Sequence, residues 1–293
     1  MGKLKEKMRN DMRIRGFSER TEMAYLSTAE KFIKYCNKSP EKITIDEINR
    51  FQYYLKNQTN YSWAYFNQYV CSIRFLYNVT LKRNWMIEHI PFHKKSKYLP
   101  DVLSKEEIGK MYKEIINLRD KAIFLTLYST GVRISELLNI RIKNINRNRM
   151  QIFIKEGKGM KDRYVNMSHK LLIILEKYWL SQKVKSYKYL FPGMKIDKSI
   201  SARVVQKMIS DLGNKTGILK RVYPHLLRHS YATHLLESGV DIRRIQVLLG
   251  HSSLRTTSKY LHIAQNYLQS VESPIEEMDS IEGHINEKKK YKI

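Results

Sequence analysis

The chain has 293 residues, and its 54 Lys and Arg residues exceed its 28 Asp and Glu residues by 26 charges. An apolar fraction of 42% with 11% aromatic residues excludes a disordered polycation and suffices for a full core. No apolar run reaches the roughly 20 residues of a membrane span, and the N-terminus lacks a signal peptide's apolar stretch, so we expect a cytoplasmic protein. The excess positive charge favours a polyanionic partner, of which nucleic acid is the commonest.

The first 90 residues carry three helical patterns after a basic start. Ser18 precedes a run whose apolar residues recur at steps of three and four. Thr44 and Glu47 have the spacing of a capping box ahead of the second pattern, and Ser62 precedes the third. We therefore predict a bundle of about four helices in this part of the chain.

Residues 91–100 separate this bundle from the rest of the chain. They combine Pro91 and Pro100 with four basic residues, which suits an extended linker lying against phosphates better than a helix. We place the domain boundary here, with a first domain over residues 1–90 and a second over residues 101–270.

The second domain is predicted to be mainly helical with one small β-hairpin. Ser104 and Glu107 form another capping box, and an apolar helix ends before Gly131. Apolar residues alternate over 150–154 and 164–167, on either side of a basic, glycine-bearing tip. Further helices are predicted near 168–180, 200–212, 225–237, 241–249 and 253–269. Residues 271–293, acidic and then basic, are predicted to be a partly mobile tail.

Four short segments of this second domain hold side chains suited to phosphate chemistry. They are residues 130–137 (TGVRISEL), 157–163 (GKGMKDR), 224–234 (PHLLRHSYATH) and 249–260 (LGHSSLRTTSKY). Together, and in this order, they resemble the catalytic pattern of the tyrosine recombinases, the phage-integrase and Xer-type site-specific DNA recombinases. The resemblance implies a two-domain, C-shaped DNA clamp in which residues 1–90 form a SAM-like core-binding domain and residues 101–270 the catalytic domain.

Cleavage of a phosphodiester without a metal needs cationic donors for the non-bridging oxygens, a nucleophile and an acid for the leaving oxygen. Arg133 is a candidate donor, although such a residue alone would be an exposed arginine in a turn. Glu136 could hold that guanidinium or be a solvated helix residue. His225 and Arg228 are spaced i, i+3, so they project from one helix face.

His225 and His229 have the i, i+4 spacing of helical metal ligands. We discount a metal because no third ligand is evident nearby and Arg228 lies between them, and we predict that His229 is buried and hydrogen-bonded. The Gly-Lys-Gly stretch fails the phosphate-loop pattern, so an ATP site is not expected. No cofactor is predicted.

Tyr260 is the predicted nucleophile among 20 tyrosines. Its nearest rivals are Tyr231 and Tyr267, and its spacing from His251 singles it out. A phenol with a pKa near 10 needs a base or a dense positive field to react at neutral pH. Lys158 lies at the hairpin tip, with Lys161 and Arg163 as alternatives or phosphate contacts.

The resemblance assigns one role to each candidate. Arg133 and Arg228 hold the phosphate, His225 assists proton transfer, His251 donates to the phosphate, Lys158 is the general acid and Tyr260 forms a 3′-phosphotyrosyl link. It further implies double-stranded DNA as partner and a homotetramer on two DNA sites, for integration, excision or resolution of DNA.

Two alternatives stay open at this point. A type IB topoisomerase uses similar residues to nick and reseal one duplex, and a non-catalytic DNA-binding regulator could use the helices at 241–260 as a helix-turn-helix pair. Within the family, the segment RGFSERTE near the N-terminus resembles integron integrases. The short connection at 190–200 instead favours a Xer-like or mobile-element recombinase.

Overall fold

The computed structural model describes residues 2–59, 61–83, 88–93, 101–155 and 162–261. The chain divides into two compact units, Met1–Tyr98 and Leu99–Ile293. Most of the predicted linker, the hairpin tip with Lys158 and Lys161, Tyr267 and the predicted tail lie outside the described residues.

The N-terminal unit is helical, as the sequence predicts. Its helices are α1 (Gly2–Ile14), α2 (Glu19–Cys36), α3 (Ile45–Asn57) and α4 (Trp63–Phe75), and a π-helical turn, Leu76–Thr80, continues α4. Ser18, Thr44 and Ser62 each cap a helix through the side-chain oxygen, and the predicted capping box of Thr44 and Glu47 is confirmed.

Two apolar clusters hold these helices together. The larger is aromatic and joins α2, α3 and α4 through buried rings such as Phe32, Phe51 and Tyr69. The smaller joins α1 to α2 and the π-helical turn through Met8, Met12 and Leu26 among others. The apolar residues that recur at i, i+3 and i, i+4 in the sequence form the helix faces that meet in these clusters.

The second unit combines eight α-helices and a short 3-10 helix, Ile142–Asn144, with one small sheet in the described residues. The helices are α5 (Lys105–Glu114), α6 (Leu118–Thr130), α7 (Ile134–Asn139), α8 (His169–Ser181), α9 (Ala202–Lys215), α10 (Pro224–Glu237), α11 (Ile242–Leu249) and α12 (Leu254–Ser258). The capping box predicted at Ser104 and Glu107 is confirmed. Of the helix predicted over 253–269, residues 254–258 are helical and residues 259–261 form a turn, and the rest lies outside the described residues.

The predicted hairpin is present and gains a third strand. Strands β1 (Ile145–Asn146), β2 (Gln151–Ile154) and β3 (Arg163–Asn166) form an antiparallel sheet in the order β1-β2-β3. Ile152 pairs with Val165, and both side chains enter the core. Two residues of β1 are too few for a strand period to register in the sequence, so this strand escaped the prediction.

Helices α6 and α10 are the central helices of this unit. The apolar residues of α6 point inward on nearly every side, and most of α10 is buried as well. Gly131 ends α6 with φ +62°, and a Cβ there would clash with Cδ1 of Tyr231. The candidate segments at 130–137 and 224–234 thereby meet along one contact. Within the described residues, no helix is both long and apolar enough to cross a membrane.

Candidate active site

Arg133 lies at the N-cap of α7 and is held by a carboxylate of the same helix. Its Nη1 donates to Oε1 of Glu136 at 2.6 Å, and its backbone N–H donates to Oε2 at 2.7 Å. The Arg133 side chain is 23% exposed, whereas Glu136 is 7% exposed. Of the two interpretations of Glu136, the structure supports the one in which it holds the guanidinium, with an edge of Arg133 left open to solvent.

Glu136 also binds a second arginine, which comes from the sheet. Arg163 donates from Nη1 to Oε1 at 3.0 Å and from Nη2 to Oε2 at 2.8 Å. Burial by itself raises the pKa of the Glu136 carboxyl, but the hydrogen bonds and charges of Arg163 and Arg133 lower that pKa to about 2. The carboxylate is therefore ionised at neutral pH. The sequence analysis offers Arg163 as a phosphate contact or an alternative general acid. The structure instead turns its side chain inward, where it binds Glu136 and the carbonyl of Leu248.

Arg228 is buried on α10, with 1% of its surface exposed. Its Nη1 donates to the carbonyl of Gly131 at 2.5 Å and its Nη2 to the carbonyl of Leu249 at 2.6 Å. Burial and the charge of Arg133 lower the pKa of Arg228 to about 10, so the guanidinium is still protonated at neutral pH. One buried cation thus joins the end of α6 to the end of α11, where helix carbonyls lack partners within the helix.

Tyr260 lies in the turn after α12, with 1% of its surface exposed. Its hydroxyl is hydrogen-bonded to Nδ1 of His229 at 2.9 Å. Burial raises the pKa of Tyr260 to about 12, against the opposing charges of Arg228 and Arg133. The predicted nucleophile is therefore a protonated phenol inside the protein, close enough to both arginines to feel their charge.

Two histidines flank this phenol. The ring of His251 stacks on the Tyr260 ring with centroids 6.5 Å apart, and its Nδ1 is 2.9 Å from Oγ1 of Thr257. Burial and the charges of Arg228 and Arg133 lower the pKa of His251 to about 3. Burial and the charges of Lys259 and His225 lower the pKa of His229 to about 3 as well. Both imidazoles are therefore neutral at pH 7.

His225 occupies the outer side of the same group. Its ring meets the His229 ring edge-on with centroids 5.1 Å apart, and its side chain keeps an exposed surface. The ammonium of Lys259 lies 5.2 Å from the centre of the Tyr260 ring and adds positive charge. Within the described residues, no group of three or more His, Cys, Asp or Glu side chains is placed to hold a metal ion.

The structure brings together five of the six predicted site residues. Those five are Arg133, His225, Arg228, His251 and Tyr260, and Lys158 lies outside the described residues. The sequence prediction missed that His229 is hydrogen-bonded to Tyr260 and that Arg163 binds Glu136. The strand pattern contained a signal for Arg163, because alternation places it on the same buried face as Val165.

Comparisons with known proteins agree with this arrangement. Residues 101–266 match the model of the phage integrase family, and residues 4–87 match the phage integrase N-terminal SAM-like domain. A protein of Sinorhizobium fredii that carries the name integrase/recombinase y4qK is 38% identical over 277 residues, covering 94% of this chain and 89% of its own. A tyrosine recombinase XerD of Oceanobacillus iheyensis is 33% identical over 277 residues, covering 88% and 92%.

A solved structure of a recombinase is also similar to this chain. It is the XerH site-specific recombinase bound to its difH substrate before cleavage, at 25% identity and a TM-score of 0.68, covering 85% of this chain and 77% of that one. The mainly helical fold with a small antiparallel sheet, predicted from the sequence, is confirmed by this likeness and by the helices and strands described above.

Proposed function

Because this chain belongs to the phage integrase family, we propose that it is a site-specific DNA recombinase, which cuts and rejoins DNA strands. Its relatives are named integrases and tyrosine recombinases, and the similar XerH site-specific recombinase is bound to its difH substrate. The partner is accordingly double-stranded DNA, which suits a net charge of +26.

One observation carries the proposal: side chains from distant segments of the chain come together around the phenol of Tyr260. Tyr260 feels the positive charges of Arg133 and Arg228, which lie more than 120 and more than 30 residues away along the chain, respectively. These two charges can neutralise a phosphodiester, and they oppose the rise that burial causes in the pKa of Tyr260. Positively charged groups at a nucleophile have no evident use in a protein that only binds DNA.

We assign one part of the chemistry to each of these residues. The Tyr260 oxygen attacks the scissile phosphorus and forms a 3′-phosphotyrosyl bond as the bond to the 5′ oxygen breaks, and the phenol proton passes to His225. Lys158 supplies the proton that the leaving 5′ oxygen takes up. Arg133 and Arg228 offset the charge on the non-bridging oxygens, with His225 and His251 as further donors or proton carriers.

The phosphotyrosyl link conserves the energy of the broken phosphodiester. The 5′-hydroxyl of a second strand can therefore attack it, reform a phosphodiester and release Tyr260 without ATP or a metal ion. We propose a homotetramer on two DNA sites as the assembly in which this exchange takes place. A type IB topoisomerase or a non-catalytic regulator is not favoured, since the relatives of the chain carry recombinase names.

The test is covalent capture of DNA. Sheared and nicked genomic DNA of the source organism is incubated with the protein, the protein is denatured, and the DNA that stays bound is sequenced. We expect one cleavage sequence on the wild type and none on Tyr260→Phe, which still binds DNA. Recovery of equal covalent DNA from Tyr260→Phe, or none from a wild type that binds DNA, contradicts the proposal. Relaxation of plasmids that lack the captured sequence favours the topoisomerase.

A further inference from the structure

Arg163 is a buried arginine at the base of the hairpin. It is the first residue of β3 and pairs with Ile154 at the end of β2, where the two strands meet the tip residues 156–161. Its side chain is 6% exposed. A cation this deeply buried in a DNA-binding protein is matched by acceptors of the protein itself.

The acceptors of Arg163 lie on two different segments. Nη1 and Nη2 bind the two oxygens of Glu136 in a fork, at 3.0 and 2.8 Å. Nε donates to the carbonyl of Leu248 in the last turn of α11 at 2.9 Å. A planar guanidinium that binds a carboxylate through two nitrogens fixes its orientation as well as its distance.

One side of this arrangement reaches Arg133. The same two oxygens of Glu136 also accept Nη1 of Arg133 at 2.6 Å and its backbone N–H at 2.7 Å. Nη1 of Arg228 is 3.9 Å from Oε2. Glu136 therefore stands among three arginines, and Arg163, the one that binds it through both terminal nitrogens, determines where the carboxylate lies.

The other side reaches the turn before His251. Gly250 comes directly after α11 with φ +64°, and a Cβ on it would lie 2.9 Å from Nη1, 3.0 Å from Cδ and 3.1 Å from Cζ of Arg163. The arginine side chain thus packs directly on the backbone of this turn. A shift of Arg163 would therefore move the backbone at Gly250 and, with it, the neighbouring His251.

We propose that Arg163 is a positioning residue for strand cleavage, which holds Arg133 through Glu136 and holds His251 through the turn at 248–250. The inference rests on the proposed function. Arg163 contacts no DNA in this role, so it acts on the rate of cleavage and leaves the affinity for DNA unchanged.

The first test compares Arg163→Met and Arg163→Lys with the wild type on the nicked duplex captured by the wild type. We expect Arg163→Met to form the covalent adduct ~100-fold more slowly, since small displacements at a reacting centre have effects of this size. Arg163→Lys should recover part of the rate, because one ammonium cannot span Glu136 and Leu248 together. The dissociation constant and its salt dependence should match the wild type in both variants.

Arg147→Met is the matched control. Arg147 also pairs with a glutamate, Glu176 at 3.1 Å, but the two side chains are 72% and 39% exposed. Its loss should leave the cleavage rate unchanged. Wild-type cleavage by Arg163→Met, or a weaker DNA affinity with a smaller salt dependence, overturns the inference.

A double-mutant cycle covers the case in which Arg163→Met leaves Glu136 buried without its main partner and unfolds the protein. Glu136→Gln combined with Arg163→Met removes both charges, so the pair tolerates burial better than either single variant. If Arg163 acts partly through Glu136, the double variant loses less rate than the two single losses combined, because only the contribution through the turn at 248–250 is left to lose. Fully additive losses contradict the inference. Failure of the wild type to form any adduct would instead contradict the proposed function.

Discussion

Nδ1 of His229 and the hydroxyl oxygen of Tyr260 lie 2.9 Å apart inside the protein. Burial holds the pKa of His229 near 3 and raises the pKa of Tyr260 to about 12, so a neutral imidazole faces a protonated phenol. The predicted nucleophile is thus fixed by one hydrogen bond and surrounded by apolar side chains such as Leu236 and Leu249.

His229→Leu should lower the free energy of unfolding by about 1–3 kcal/mol, because the buried hydroxyl of Tyr260 loses its partner. Combining it with Tyr260→Phe should recover part of that loss, since neither group then lacks a hydrogen bond. Urea unfolding of the two single variants and the double variant measures the coupling. Strictly additive losses would show that the hydrogen bond contributes nothing to stability.

Stability should also depend on pH through His229 and His251. Both pKa values are about 3 in the folded protein, below the 6.5 of an unperturbed imidazole. The unfolded chain therefore binds protons first, so this part of the stability is complete above pH 6.5 and is lost as the pH falls toward 3. Each histidine contributes a slope of up to about 1.4 kcal/mol per pH unit. Urea unfolding from pH 7 to pH 4 should give a shallower slope for His251→Gln than for the wild type.

Gly131→Ala should destabilise the protein more than Gly217→Ala. Both glycines have positive φ, +62° and +68°, but an added Cβ meets Tyr231 at Gly131 and nothing within 4 Å at Gly217. The left-handed backbone costs about 1–2 kcal/mol at either position, and the clash adds about 1–3 kcal/mol at Gly131 alone. Thermal or urea unfolding of the two variants separates the cost of the left-handed backbone from the cost of the clash. Equal losses would mean that Tyr231 moves aside freely.

Arg228→Lys should reduce cleavage much more than DNA affinity. The guanidinium binds the carbonyls of Gly131 and Leu249 together, whereas a lysine reaches one of them at most. We expect a ~100-fold slower adduct with the wild-type sequence, since the ends of α6 and α11 lose their shared partner. Single-turnover cleavage and an equilibrium binding titration make the comparison. An equal loss in both would assign Arg228 to binding alone.

Helix caps and hairpin strands were readable from the chain because they depend on neighbours in sequence. The capping boxes at Thr44 and Ser104 need a partner three residues away, and the strand alternation around Ile152 needs only its own period. The end of α12 was not readable, since the helical pattern continues beyond Ser258 while the structure turns there.

The order and spacing of the motifs in the chain identified the candidates for chemistry, from Arg133 to Tyr260, and the excess of positive charge favoured a polyanionic partner. Only the tertiary structure decided which cations face inward. Arg163 and Arg228 look like surface charges in a basic chain, yet each is buried against acceptors 21 to 97 residues away. A buried charge needs such partners because desolvation outweighs any local preference, and partners at that distance are brought together only by the packing of the core.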